Sequence, residues 1–127
     1  MNYFTKTTTF FVTVFLSTAV YGWQSTITNS SDGQILVTVS YAGGGAYEDR
    51  TITVNAGASG TILAPGGLHE GCAQTVTVRS TSGTAVGKTV SVETQRAGIN
   101  MTCANFVVEV SNSTTNSTDL IVTNRVV

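Results

Sequence analysis

The chain has 127 residues, of which 10% are charged and 41% hydrophobic, and its formal net charge at pH 7 is −1. This length is sufficient for one domain with a hydrophobic core. The six lysine and arginine residues are scattered along the chain, whereas a nucleic-acid-binding protein usually carries a basic stripe. We therefore predict no nucleic-acid partner.

Residues 1–22 have the pattern of a secretory signal peptide. Lys6 supplies a positive charge, and residues 10–20 (FFVTVFLSTAV) form an apolar run that is too short to span a bilayer. We predict cleavage after Gly22, which leaves residues 23–127 as a single secreted domain without a stable transmembrane segment. The alternatives are a buried N-terminal strand and an uncleaved membrane anchor.

Beyond Gly22, short stretches in which apolar and polar residues alternate are separated by turns. This period of two is typical of strands with one buried face. It places Tyr41 and Phe106 in the core, and the Asp32-Gly33 dipeptide is typical of a hairpin turn. The predicted strands cover residues 23–28, 34–41, 50–54, 61–63, 73–80, 86–94, 104–110 and 120–127. The hydrophobic end of the last strand predicts that the C-terminus packs into a sheet.

The strand pattern predicts an all-β fold. Seven to eight short strands with frequent turns favour an antiparallel β-sandwich. A closed β-barrel is the alternative, because strand patterns alone do not separate these two architectures.

The two cysteines, Cys72 and Cys103, bracket the predicted hairpin of residues 73–94. An even number of cysteines in an exported chain favours a disulfide bond over free thiols. Pairing would close a loop of about thirty residues and stabilise the fold by roughly 3 to 4 kcal/mol. We predict this single disulfide.

Few residues suggest catalysis. His69 is the only histidine and precedes Glu70 in the irregular segment 64–71. Adjacent side chains rarely converge on one metal ion or form an acid–base pair, and zinc sites need further nitrogen or sulfur ligands. The acidic residues are dispersed, and a calcium-loop or phosphate-loop spacing is absent from the sequence. We predict no catalytic residue, no metal site and no cofactor, and thus that the protein is not an enzyme.

The candidate recognition residues lie in two predicted loops. Tyr47, Glu48 and Asp49 follow a run of three glycines, and His69 and Glu70 belong to the longest irregular segment. Loops held on a rigid scaffold are common sites of binding. We predict that these residues contact an unidentified extracellular ligand, either a protein or a glycan. For Tyr47, the alternative is that its ring only covers the end of the sandwich.

Four sites fit the pattern for N-linked glycosylation, and all four fall in predicted turns or loops. They are Asn29, Asn100, Asn112 and Asn116. Because a chain rich in asparagine, serine and threonine produces such triplets by chance, the alternative is that none of them is used.

Three classes of function remain. The first is a secreted binding module or effector that acts through its end loops. The second is a subunit that self-associates into an extracellular assembly, with residues 23–28 and 120–123 as edge strands that few charges protect. The third is a membrane-active toxin, although the threonines of the bracketed hairpin make a poor bilayer segment. We favour the first and keep self-association open.

Overall fold

The computed structural model describes residues 23–42, 49–65, 72–94 and 104–127. They form eight strands: β1 (Gln24–Asn29), β2 (Ile35–Ala42), β3 (Arg50–Val54), β4 (Ser59–Leu63), β5 (Cys72–Ser80), β6 (Thr89–Glu93), β7 (Phe106–Asn112) and β8 (Leu120–Val126). The described residues include no helix, and hence none with the length and apolar character needed to cross a membrane. The all-β prediction is confirmed.

The strands form two four-stranded sheets. The first sheet has the order β4-β1-β7-β8, and the second has the order β3-β2-β5-β6. Every neighbouring pair is antiparallel except β1 and β7, which are parallel. The prediction of antiparallel sheets is therefore wrong for the first sheet, which is mixed. β1 and β7 are far apart in sequence, and a long connection permits parallel pairing.

The side chains of β2 show why these sequences form strands. Ile35, Val37 and Val39 are fully buried, while the residues between them are partly exposed. Successive side chains of a strand point to opposite faces, so this alternation gives the second sheet one apolar face and one polar face.

The apolar faces of both sheets contribute to one hydrophobic core. Burying a side chain such as valine, isoleucine or phenylalanine stabilises the fold by about 1.5 to 3 kcal/mol. Tyr41 and Phe106 belong to this core, as predicted. Its other fully or nearly fully buried members include Ile27, Ile35, Val37, Val39, Val76, Val78, Val108 and Val110.

The two sheets give the described part of the chain a sandwich-like arrangement. Each sheet ends in two edge strands, namely β4 and β8 in the first and β3 and β6 in the second. Because neither sheet closes on itself among the described residues, the closed-barrel alternative is wrong.

Two other predictions concern strand pairing. The hairpin after Cys72 is confirmed, because β5 pairs with β6 from Thr75 opposite Glu93 to Arg79 opposite Thr89. The hairpin at Asp32-Gly33 is wrong, because β1 and β2 belong to different sheets. The turn between them carries the chain from one sheet to the other and is held by the side chain of Asn29, as described below.

The prediction of edge strands is correct for β8 and wrong for residues 23–28. β1 lies inside the first sheet, between β4 and β7. The C-terminus also differs in part from the prediction. The N–H of Val127 donates to the carbonyl of Asn105 at 3.1 Å, but its side chain is exposed.

The strands begin and end at two opposite ends of the molecule. We name the first end the Cys72 end, because β5 begins there beside the end of β2, with Cys72 opposite Ala42. The terminus of β4 lies at the same end, since a nitrogen of Arg50 is 3.5 Å from the carbonyl oxygen of Leu63. We name the other end the Asn29 end. It carries the turns of residues 30–34, 55–58, 81–88 and 113–119.

Candidate functional site

Most of the predicted recognition residues lie outside the described residues. Tyr47, Glu48, His69 and Glu70 belong to this group. Asp49 is described and exposed, and it immediately precedes β3 at the Cys72 end. For the other four, the predicted role in recognition stays a prediction.

The described strand termini nevertheless fix where the segments between the described ranges attach. Residues 43–48 connect β2 to β3, and residues 66–71 belong to the connection from β4 to β5. Residues 95–103 belong to the connection from β6 to β7. All six of these strand termini lie at the Cys72 end. In the second sheet, Ala42 pairs with Cys72, Val39 with Arg50 and Thr75 with Glu93. In the first sheet, Gln24 pairs with Leu63 and Ser25 with Phe106.

Cys72 opens β5 and is half-buried. No described cysteine is free. Its predicted partner Cys103 lies outside the described residues, so the disulfide stays a prediction.

Tyr41 places a buried polar atom at the Cys72 end. Its hydroxyl oxygen has no hydrogen-bond partner among the described residues. Burial raises the pKa of Tyr41 above its ordinary value. The nearby Ser25 hydroxyl, which does not reach hydrogen-bonding geometry with Tyr41, and the positive charge of Arg50 act in the opposite direction. Alternation in the sequence predicts that the ring is buried, but it does not show that the hydroxyl lacks a partner.

Asn29 organises the opposite end of the molecule. Its side chain is fully buried, and its amide nitrogen lies within hydrogen-bonding distance of the carbonyl oxygens of Gly33 (2.9 Å), Val54 (3.1 Å) and Asn55 (3.1 Å). Its amide oxygen accepts from the N–H (3.0 Å) and the hydroxyl (2.6 Å) of Ser31. One side chain thus joins the turn after β1 to the end of β3.

A second polar cluster joins three turns of the Asn29 end. Thr84 donates its backbone N–H to Oδ1 of Asp32 at 3.1 Å and its hydroxyl to Oδ2 at 2.7 Å. Asn112 accepts from the N–H of Asp32 at 2.9 Å and donates to the carbonyl of Ser117 at 2.8 Å. The hydrogen bonds from Thr84 hold the pKa of the Asp32 carboxyl below its usual value, against a smaller opposing effect of desolvation.

The two described ion pairs lie on the surface. Lys88 approaches Asp119 at 3.0 Å, and Arg125 approaches Glu109 at 3.7 Å, with all four side chains at least half exposed. Such exposed pairs contribute at most about 1 kcal/mol each. The first pair adds one further contact between two turns of the Asn29 end.

The candidate glycosylation sites have different environments. Asn29 is buried and uses its amide nitrogen internally, so a glycan there would displace these hydrogen bonds. Glycosylation at Asn29 stays a prediction. Asn112 is half-buried and its amide nitrogen donates to Ser117. Asn116 is exposed, and Asn100 lies outside the described residues.

The arrangement at the Asn29 end has a structural role. Its polar side chains satisfy one another and the neighbouring backbone, which fixes the connections between the sheets. Within the described ranges, no three histidine, cysteine, aspartate or glutamate side chains are grouped so that they could hold a metal ion. Sequence reasoning missed the roles of Asn29 and Thr84. The available signal was a run of Asn, Ser and Asp residues before a glycine, which is typical of side chains that bond to their own turn.

Comparison with protein-family models, with curated proteins and with solved structures gave no match to this chain.

Proposed function

We propose that this chain is a secreted, non-catalytic β-sandwich protein that binds an extracellular partner, a protein or a glycan, through its Cys72 end. The observation that carries the proposal is the position of the strand termini. The segments 43–48, 66–71 and 95–103 all connect strands at that one end. The residues predicted for recognition belong to the first two segments or adjoin them, and they are Tyr47, Glu48, Asp49, His69 and Glu70.

A disulfide between Cys72 and Cys103 is part of this proposal. Cys72 begins β5, and Cys103 ends the segment that follows β6. The bond would tie that segment to the sheet at the binding end. Restraint of this kind lowers the conformational entropy that is lost on binding.

The Asn29 end supports the choice of the Cys72 end by contrast. At the Asn29 end, Asn29, Asp32 and Asn112 bond to neighbouring turns at distances between 2.6 and 3.1 Å. A group that is already bonded must give up that bond before it contacts a ligand, which reduces the net gain.

The test uses the full chain, expressed from Met1 in a secreting host under oxidising conditions. Mass spectrometry of the secreted protein should give Trp23 as its first residue. Binding is then measured on an immobilised glycan panel and on intact cells. Tyr47→Ala should weaken the strongest interaction by about tenfold or more, as expected for an aromatic recognition residue.

The matched control is Val86→Ala at the Asn29 end. Val86 is 60% exposed, so its substitution should leave both folding and binding unchanged. The proposal is wrong if binding survives the combined change of Tyr47, Glu48 and His69 to alanine, or if Val86→Ala weakens binding as much as Tyr47→Ala does.

A further inference from the structure

The edge strand β4 differs from the other three edge strands in its charge. β4 (Ser59–Leu63) contains no charged residue, whereas β3 contains Arg50, β6 contains Glu93 and β8 contains Arg125. Charges on an edge strand hinder pairing with another chain. β4 is therefore the edge with the least electrostatic protection.

Two hydrogen bonds define which backbone groups of β4 face away from β1. The N–H of Asn29 donates to the carbonyl of Ala58 at 2.9 Å, and the N–H of Ala64 donates to the carbonyl of Trp23 at 2.8 Å. In an antiparallel pair, bonded residues alternate with residues whose backbone groups point away. Ile62 and Gly60 consequently bond to β1, and the intervening residues Ser59, Thr61 and Leu63 direct their groups outward.

The outward-facing residues of β4 are accessible. Ser59, Thr61 and Leu63 all have exposed side chains, and among the described strands β4 pairs with β1 alone. Arg50 covers only one terminus of the strand, where its guanidinium lies 3.5 Å from the carbonyl oxygen of Leu63. The N–H and C=O groups of an accessible edge are complementary to those of another extended strand.

We propose that β4 pairs with β4 of a second copy of this chain, antiparallel and about a two-fold axis that passes through Thr61. In this register, Thr61 faces Thr61 and Ser59 faces Leu63, so no like charges meet. The small net charge of the chain, −1, adds little repulsion between copies. The β4-β1-β7-β8 sheets of the two copies then form one continuous sheet of twice the width.

The two-fold axis determines how the copies are oriented. Because the two β4 strands run in opposite directions, the Cys72 ends of the two copies point in opposite directions. The dimer does not depend on the function proposed for the Cys72 end, because β4 and that end are different surfaces. If that function also holds, the dimer presents two separate binding ends and connects two partners.

The experiment measures the mass of the secreted protein by light scattering across a concentration series. The decisive variant is Thr61→Pro, which removes the outward N–H of Thr61 and leaves the bonds of Gly60 and Ile62 to β1 in place. Proline is tolerated at such edge positions. It should raise the dimer dissociation constant by about tenfold or more.

The matched control is Ser91→Pro in β6. The bonds from Ser80 to Lys88 (2.9 Å) and from Thr94 to Gln74 (2.9 Å) set the alternation in this strand, so that Ser91 also directs its N–H outward. This variant should dimerise like the unchanged chain, and circular dichroism verifies that both variants fold. A monomer at every concentration, or a dimer that withstands Thr61→Pro, overturns the proposal.

Thr61→Lys supplies a second readout if the proline variant fails to fold. It places two like charges opposite each other at the axis, so the dimer should weaken at low salt and recover as salt is added. A dimer of Thr61→Lys with unchanged affinity at low salt also overturns the proposal.

Discussion

Gly33 and Gly83 lie against each other, backbone to backbone, where the turn that leaves β1 meets the turn that links β5 to β6. A Cβ atom on Gly83 would lie 2.8 Å from Cα of Gly33, and one on Gly33 would overlap the carbonyl oxygen of Ser82. The two turns thus approach as closely as their backbones allow. This contact explains why the chain needs a glycine after Asp32 although no hairpin forms there.

Gly33→Ala is therefore expected to destabilise the fold by about 3 kcal/mol, because the new methyl group forces the two turns apart. Gly57→Ala is the matched control. Gly57 has a φ of 76° and nothing within 4 Å of an added Cβ, so only the backbone cost of about 1 kcal/mol applies. Urea unfolding of both variants checks the difference, and equal losses of stability would contradict the contact.

Asn29→Ala is expected to destabilise the fold by about 3 kcal/mol or more. The substitution leaves the carbonyl of Val54 without its buried donor and the N–H of Ser31 without its buried acceptor, and each unsatisfied buried group costs about 1 to 3 kcal/mol. The exposed Asn116 provides the control, because Asn116→Ala removes only exposed hydrogen bonds from Thr118 and should change the free energy of unfolding by about 1 kcal/mol or less. If thermal unfolding shows similar stabilities for the two variants, Asn29 does not hold the turn as described.

The strands could be predicted from the sequence because their signal is local. The alternation of Ile35, Val37 and Val39 with polar residues identifies the buried face of β2 without reference to any other strand. The same holds for the pairing of β5 with β6, which a short connection joins.

The sheet order could not be predicted, because it depends on contacts between residues far apart in sequence. Asp32-Gly33 has the local signature of a hairpin, but Asn29 bonds to Val54 and Asn55 and turns the chain into the other sheet. The position of β1 between β4 and β7 likewise follows from pairing partners that no local pattern identifies.

Acidification should loosen the Asn29 end. Thr84 stabilises the ionised form of Asp32, so the pKa of Asp32 lies below its ordinary value of 3.8 in the folded chain. Stabilisation from this carboxylate is fully present above that ordinary value and is lost as the pH falls through the lowered pKa. Thr84→Val removes the hydroxyl donor and should reduce the loss of stability on acidification.

Unfolding free energies measured from neutral to acidic pH check this prediction. Thr115→Val serves as the control, since Thr115 is exposed and contacts Ser113 rather than Asp32. If the unchanged chain and Thr84→Val lose stability in parallel on acidification, the hydrogen bond from the Thr84 hydroxyl does not account for the lowered pKa of Asp32.

Glycosylation is expected at Asn116 and not at Asn29 in the folded protein secreted by a eukaryotic host. Asn116 is exposed and its amide oxygen, rather than its nitrogen, accepts the local hydrogen bonds from Thr118. At Asn112, a glycan would displace a bond from the amide nitrogen to Ser117 or Thr84. Site-resolved mass spectrometry measures the occupancy. Folded protein with a glycan on Asn29 would contradict the buried position of that side chain.

Tyr41→Phe is expected to leave stability unchanged or to raise it by up to about 1 kcal/mol. The substitution removes a buried hydroxyl that has no partner among the described residues, while the ring remains in the core.

Thr94→Val is the matched control at the same end. The Thr94 side chain is fully buried and its hydroxyl donates to the carbonyl of Ala73 at 2.6 Å, so its removal should cost about 1 to 2 kcal/mol. Chemical denaturation of the two variants distinguishes a bonded hydroxyl from an unbonded one. A loss of about 1 kcal/mol or more for Tyr41→Phe would mean that the Tyr41 hydroxyl bonds to Ser25 or to one of the segments attached at the Cys72 end.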